Sequence, residues 1–141
     1  MLNLDLIRDR VDLIYRSIAR LEKLAALSEE QFQANPDNFA IAEHHLRRAL
    51  ESIFDIGRHI VAKAGLGHPV DYRPILVTLG QQGILPSEFA ETIKNMAGYR
   101  KRLLHGYADV TPHELHALIK TRLTDLEEFC RHILRYVDSH S

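Results

Sequence analysis

Three features of the sequence predict an all-α fold, an up-and-down bundle of four to five helices. Apolar residues recur at three- and four-residue spacing along most of the chain. Those stretches are bounded by capping residues and by Gly or Pro breaks. No segment alternates apolar and polar residues at period two with β-branched side chains, so no strand is predicted. The chain reads as one helical domain over residues 1–141, long enough to bury a core.

The first helix is predicted over 4–26, where Leu4, Ile7, Val11, Ile14, Ile18, Leu21 and Ala25 fall on one face. Ser28 with Gln31 has the pattern of a capping box and starts a short helix, which Asn35-Pro36-Asp37 breaks. A long helix is predicted over 38–64. Its stripe of Phe39, Ala42, Leu46, Ala49, Ile53, Ile56 and Ile60 is widened by Leu50, Phe54, Gly57 and Val61, which predicts contacts on more than one side. Gly65-Leu66-Gly67-His68-Pro69 ends it. A shorter helix is predicted over 72–82, with Gly83 as its stop, and Pro86-Ser87-Glu88 opens the next. Thr111 as N-cap, Pro112 as N1 and Glu114 as N3 open a last helix over 112–137. Its inward residues are Leu115, Ile119, Leu123, Leu126, Cys130, Ile133 and Val137.

Composition narrows the function. With 18 basic against 19 acidic residues the net charge is −1, so the chain is no bulk polycation, and any phosphate binding must come from a local patch. No apolar run approaches the roughly 18 residues of a membrane span. The opening Met-Leu-Asn-Leu-Asp-Leu has no feature of a secretory signal. The single cysteine, Cys130, permits no internal disulfide, which fits a cytoplasmic location. Cys130 lies on the inward face of its helix and reads as core rather than nucleophile.

The stretch Tyr99-Arg100-Lys101-Arg102-Leu103-Leu104-His105-Gly106-Tyr107 departs from ordinary packing logic. The apolar stripe Phe89, Ile93, Met96, Ala97 leads into it and continues at Leu103 and Leu104, yet position 100 carries an arginine. A permanent charge on a buried stripe is costly unless it meets an anion or lines a cleft. His105 follows five residues later, then Gly106 and Tyr107. Five residues turn an unbroken helix by about 140°, so Arg100 and His105 do not share a face. Gly106 favours a helix end near His105.

Across the long helix, Arg48, Ser52, Asp55 and His59 form a polar stripe. This is either a solvated face laced with short-range contacts, or the place from which Asp55 orients Arg100 or His105 across a cleft. No metal is expected. The pairs His113/His116 and Glu128/His132 lack matching ligands and read as surface histidines. Gly65-x-Gly67 does not continue into a phosphate-binding glycine loop, and no cofactor is expected.

Arg100-x4-His105-x-Tyr107 resembles the Arg-x4-His-x-Tyr signature of HEPN domains, specifically the HepT-like toxins of HEPN–MNT toxin–antitoxin pairs. The segments around Arg48-Ala49-Leu50, Phe54-Asp55-Ile56-Gly57-Arg58-His59-Ile60 and Leu85-Pro86-Ser87-Glu88-Phe89-Ala90 are similar to that family too. One departure is Lys101, where many relatives have Asn. The resemblance implies a metal-independent endoribonuclease that works as a homodimer, with Arg100 and His105 from two copies meeting in a positively charged cleft. It implies an RNA substrate and a nucleotidyltransferase partner that silences the toxin by adenylylating Tyr107.

The residue types suit that chemistry. Cutting RNA without metal requires a base for the 2′-hydroxyl proton and a cation for the crowded phosphorane. His105 is a residue type suited to proton transfer, and Arg100 can offer two parallel donors to phosphate oxygens. Lys101 and Arg102 could track the strand, and Tyr107 could stack on a base or hold a phosphate. Two other readings use the same residues. One is a non-catalytic module that docks a nucleotidyltransferase, with Arg100 as phosphate anchor. The other is a purely structural dimerisation bundle in which Arg100 pairs with Asp55.

Overall fold

The computed structural model describes residues 2–106 and 109–140, and these contain seven helices and no strand. Three are long: α1 (Leu4–Ala25), α3 (Pro36–Lys63) and α7 (Pro112–His140). Four are shorter: α2 (Glu29–Ala34), α4 (Tyr72–Gln81), α5 (Ser87–Ala97) and α6 (Tyr99–Leu103). No described helix is long and apolar enough to cross a membrane.

Each long helix buries the stripe its sequence marks. Ile7, Val11, Ile14, Ile18 and Leu21 of α1 pack along α3 and α7. The wide apolar face of α3 is buried throughout, including Leu50, Phe54, Gly57 and Val61. The width follows from its neighbours, since α3 touches α1, α2, α4, α6 and α7. Burying each large aliphatic side chain contributes roughly 1.5–3 kcal/mol, so this central helix carries much of the core.

The helix starts follow capping chemistry. Ser28 and Gln31 form the reciprocal box at α2. Asn35-Pro36-Asp37 both ends α2 and starts α3: Asn35 is the N-cap, accepting from the Asp37 N–H, and Pro36 is the first helical residue. The helix therefore begins two residues before the predicted 38, because proline at N1 surrenders an N–H that has no helical partner anyway. At α7 the Thr111 hydroxyl accepts from the Glu114 N–H at 3.1 Å, but the Glu114 carboxylate is not returned to the cap. It is used elsewhere, as described below.

Two histidines differ from their predicted surroundings. His116 is buried, not on the surface. Its Nε2–H donates to the Leu27 carbonyl at 2.8 Å and its ring lies against Phe32. It is a hydrogen-bonded core histidine joining α7 to the end of α1. His132 packs its ring against Phe89 and meets Glu128 at 3.2 Å. His113 is exposed and contacts Glu29, holding that carboxyl below its usual range.

His59 and His45 make acid stability measurable. The His59 Nε2 accepts the Asn3 N–H at 2.8 Å, which requires a bare nitrogen. Burial and then Lys63 lower its pKa. Burial, then His44, Arg20 and Arg48, lower that of His45. Groups lowered on folding stay neutral in the folded chain while the unfolded chain takes up protons, so their stabilisation is complete above about pH 6.5 and is lost as pH falls below it. Melting temperature measured against pH is expected to be level near neutrality and to drop by several degrees on acidification to about pH 5.5. His59→Gln should flatten part of that drop.

Candidate active site

The helix opened by Pro86 does not run unbroken into the motif. It stops at Ala97 and resumes as α6 after Gly98. Gly98 itself keeps a right-handed helical backbone, and a β-carbon there would stand 3.3 Å from the Asn95 carbonyl oxygen and 3.5 Å from the Tyr72 hydroxyl of α4. Phe89, Ile93, Met96, Ala97 and Leu103 are all buried as their spacing predicts. Leu104 is not. It follows the last residue of α6 and is 54% exposed.

Arg100 resolves the apparent conflict of a charge on an apolar stripe by snorkelling. Its guanidinium lies over the Phe54 ring, 5.5 Å from the centroid, a cation–π contact between α6 and α3. Its Nε is shut away from solvent and has no hydrogen-bond partner among the described residues. No acid among those residues forms an ion pair with it. The reading in which Arg100 pairs with Asp55 therefore fails: the Asp55 carboxylate meets Arg10 Nε at 2.9 Å and Arg58 at 3.7 Å. Asp55 orients neither Arg100 nor His105 within the chain. The polar stripe around it is also less solvated than predicted, since Ser52 is buried.

Arg100 lines an open groove of about 940 Å³ between α3, the start of α4 and α6. Lys101 and the exposed Leu104 line it from α6, Asp55 and Arg58 from α3. The α4 side is formed by Asp71, Tyr72 and Arg73, residues to which sequence reasoning gave no role beyond starting a helix. Nothing local marks them. Their importance follows from the Phe54–Tyr72 contact, at 5.5 Å between ring centroids, which sets the first turn of α4 beside Arg100.

His105 does not line this groove. It is exposed past the end of α6, with the Asp109 carboxylate 4.0 Å from its Nε2. Asp109, not Asp55, is the acid nearest the imidazole among those in contact. Gly106 has φ +58°, the left-handed conformation glycine adopts at little cost. Tyr107 lies outside the described residues.

Arg102 has a different place from its neighbours. It holds Glu114 with two nitrogens, both at 2.8 Å, and donates to the Asp109 carbonyl at 2.6 Å. Tyr99 donates to the same carboxylate at 3.0 Å and lies under the guanidinium. These contacts raise the Arg102 pKa and lower that of Glu114. Arg102 is thus committed to clasping α6 onto the start of α7, which leaves Lys101 as the uncommitted cation beside Arg100. Among the described residues, no group of three or more His, Cys, Asp or Glu is placed to hold a metal ion.

The chain and its all-helical fold have known counterparts. The profile of the HepT-like ribonuclease family matches residues 14–133, and the chain belongs to that family. It is 28% identical over 132 residues to the tRNA nuclease HepT of Aphanizomenon flos-aquae, covering 94% of this chain and 90% of that one. It is 25% identical over 128 residues to the mRNA nuclease HepT of Shewanella oneidensis, covering 89% and 93%. The fold also matches a tri-AMPylated HEPN toxin of Shewanella oneidensis solved in complex with MNT antitoxin. There the TM-score is 0.84 at 24% identity, covering 93% of this chain and 98% of that one.

Proposed function

We propose that this chain is the ribonuclease toxin of a toxin–antitoxin pair. It cuts RNA without a metal, in a cleft formed by two copies, with Arg100 and His105 as the catalytic residues. The observation that carries this reading is the uncompensated Arg100 guanidinium in the wall of a groove. The family match and the nuclease relatives support it.

The reaction is an in-line attack of the ribose 2′-oxygen on the adjacent phosphorus. The 2′-hydroxyl proton goes to an imidazole, the P–O5′ bond breaks, and an imidazolium returns a proton to the departing 5′-oxygen. Products are a 2′,3′-cyclic phosphate and a 5′-hydroxyl, with no water consumed. Arg100 steadies the non-bridging oxygens as charge builds on them. One chain holds the guanidinium in the groove and the imidazole outside it, so a complete set needs a second copy. The exposed apolar residues Val70 and Leu104 at the groove rim support closure by another protein surface. A nucleotidyltransferase antitoxin would silence the toxin by adenylylating Tyr107, since AMP adds bulk and negative charge to the RNA path. The AMPylated state of the Shewanella toxin supports that assignment.

The test uses purified protein, RNA and excess EDTA. Cutting with cyclic-phosphate ends is expected, and His105→Ala should remove it while leaving the oligomer intact. Mixing equal amounts of wild-type and His105→Ala chains should lower activity from about a half to about a quarter once subunits exchange, because only a quarter of the dimers then hold both imidazoles. Cutting that persists in His105→Ala, or activity that stays at about a half on verified exchange, would refute the shared cleft.

A further inference from the structure

The groove contains a second uncommitted arginine, on an element that carries none of the family-signature residues. Arg73, in the first turn of α4, is exposed and makes no ion pair among the described residues. Its guanidinium lies 6.0 Å from the Tyr72 ring centroid. Tyr72 in turn contacts Phe54, whose other neighbour is Arg100. Two unpaired guanidinium groups are therefore carried by one aromatic pair, and both line the same groove.

The aromatic pair ties the first turn of α4, which carries Arg73, to the stretch of α3 that Arg100 lies over. Phe54 is 5% exposed and anchored in α3, and the Tyr72 hydroxyl would stand 3.5 Å from a β-carbon at Gly98. Of the other groove cations, Arg58 already meets Asp55 and Lys101 remains uncommitted beside Arg100. Glu51 and Asp71 line the groove too, so its charge is mixed, and the two unpaired guanidinium groups are the forked donors an anion would meet there. A volume of about 940 Å³ is at the upper end for small-molecule sites, so it has room for more than one nucleotide.

We infer that Arg73 is a substrate-positioning residue: it binds the RNA phosphate next along the strand from the one Arg100 holds. This rests on the ribonuclease reading and names a residue that reading does not include. Arg73 takes no part in proton transfer or in the breaking bond. Its contribution is to binding, in the ground state and the transition state alike, so it acts on KM and leaves kcat nearly unchanged.

The experiment compares wild type with Arg73→Ala, Arg73→Glu and Arg73→Lys. Steady-state cutting of a single-stranded RNA oligonucleotide is measured, and the same fluorescein-labelled probe is titrated into each chain in a His105→Ala background. Arg73→Ala is expected to raise KM and Kd about tenfold with kcat within about twofold, and to make the salt slope shallower by roughly one phosphate contact. Arg73→Glu should weaken binding further. Arg73→Lys should recover part of the loss, since it keeps the charge but not the fork of donors. Melting temperatures should be alike, because the side chain is exposed.

Unchanged KM and Kd in the Ala and Glu variants, with wild type cutting normally, would overturn the assignment and leave the ribonuclease reading standing. Normal cutting in Arg73→Glu with loss of silencing by the antitoxin would also overturn it, by assigning Arg73 to the partner contact. A wild-type chain that neither binds nor cuts the probe would sink both.

Discussion

Arg100→Met is expected to reduce RNA cleavage by at least about 100-fold while leaving the chain as stable as before, or more so. In the proposed mechanism this change removes the cation that faces the phosphorane, an interaction that strengthens only as charge develops. The neutral or positive effect on stability follows from the side chain's present surroundings. Its Nε is buried with no partner, and no carboxylate depends on its charge. A methionine keeps contact with the Phe54 face through its thioether and removes the unsatisfied polar atom. Cleavage assays and thermal melts on the same preparation decide the matter. A marked fall in melting temperature would show that Arg100 holds the fold together, and the activity loss would then say nothing about catalysis.

Gly57→Ala is expected to destabilise the chain by about 1–3 kcal/mol and to weaken RNA binding at the same time. Gly57 lies in the middle of α3, where an alanine would ordinarily be favoured by up to about 1 kcal/mol. Here the new β-carbon would stand 2.5 Å from Cγ2 of Ile75 and 3.4 Å from Leu79. Ile75 is fully buried and β-branched, so its methyl cannot swing aside. The helix α4 must move away from α3, and Tyr72 and Arg73 move with it. Ile75→Ala removes the obstructing methyl, so the double variant should cost less than the two single changes summed. Denaturant melts on the four chains measure the coupling, and strictly additive losses would mean that α4 does not press on α3 as described.

The fold was legible because its signals are local. Helical spacing marked α1, α3 and α7, and capping residues located their starts. Proline misled only at α3, where Pro36 was read as an interruption though it sits at N1. The approach of the Tyr72 hydroxyl to Gly98 was not legible, since Tyr72 lies 26 positions earlier in the chain and on another helix. The same limit applies to the site. Arg100 stood out because charge on an apolar stripe is a local contradiction. The groove around it depends on how α4 folds back over Phe54. Asp55 looked suited to orienting the motif, but Arg10 on α1 takes its carboxylate, and spacing along α3 cannot reveal a competitor on another helix. Arg102 could not be told from Lys101 in the sequence, because what separates them is Glu114 at the start of α7.

Cys130 gives the molecule a practical property. It is fully buried, and its thiol is pushed up to about 12, so maleimide and nitroxide reagents should pass over it in the folded chain. A probe cysteine introduced on the surface, for example by Lys101→Cys, would then be labelled alone, without first removing the native thiol. Distances between two such spin labels, one on each copy, would test the proposed dimer directly.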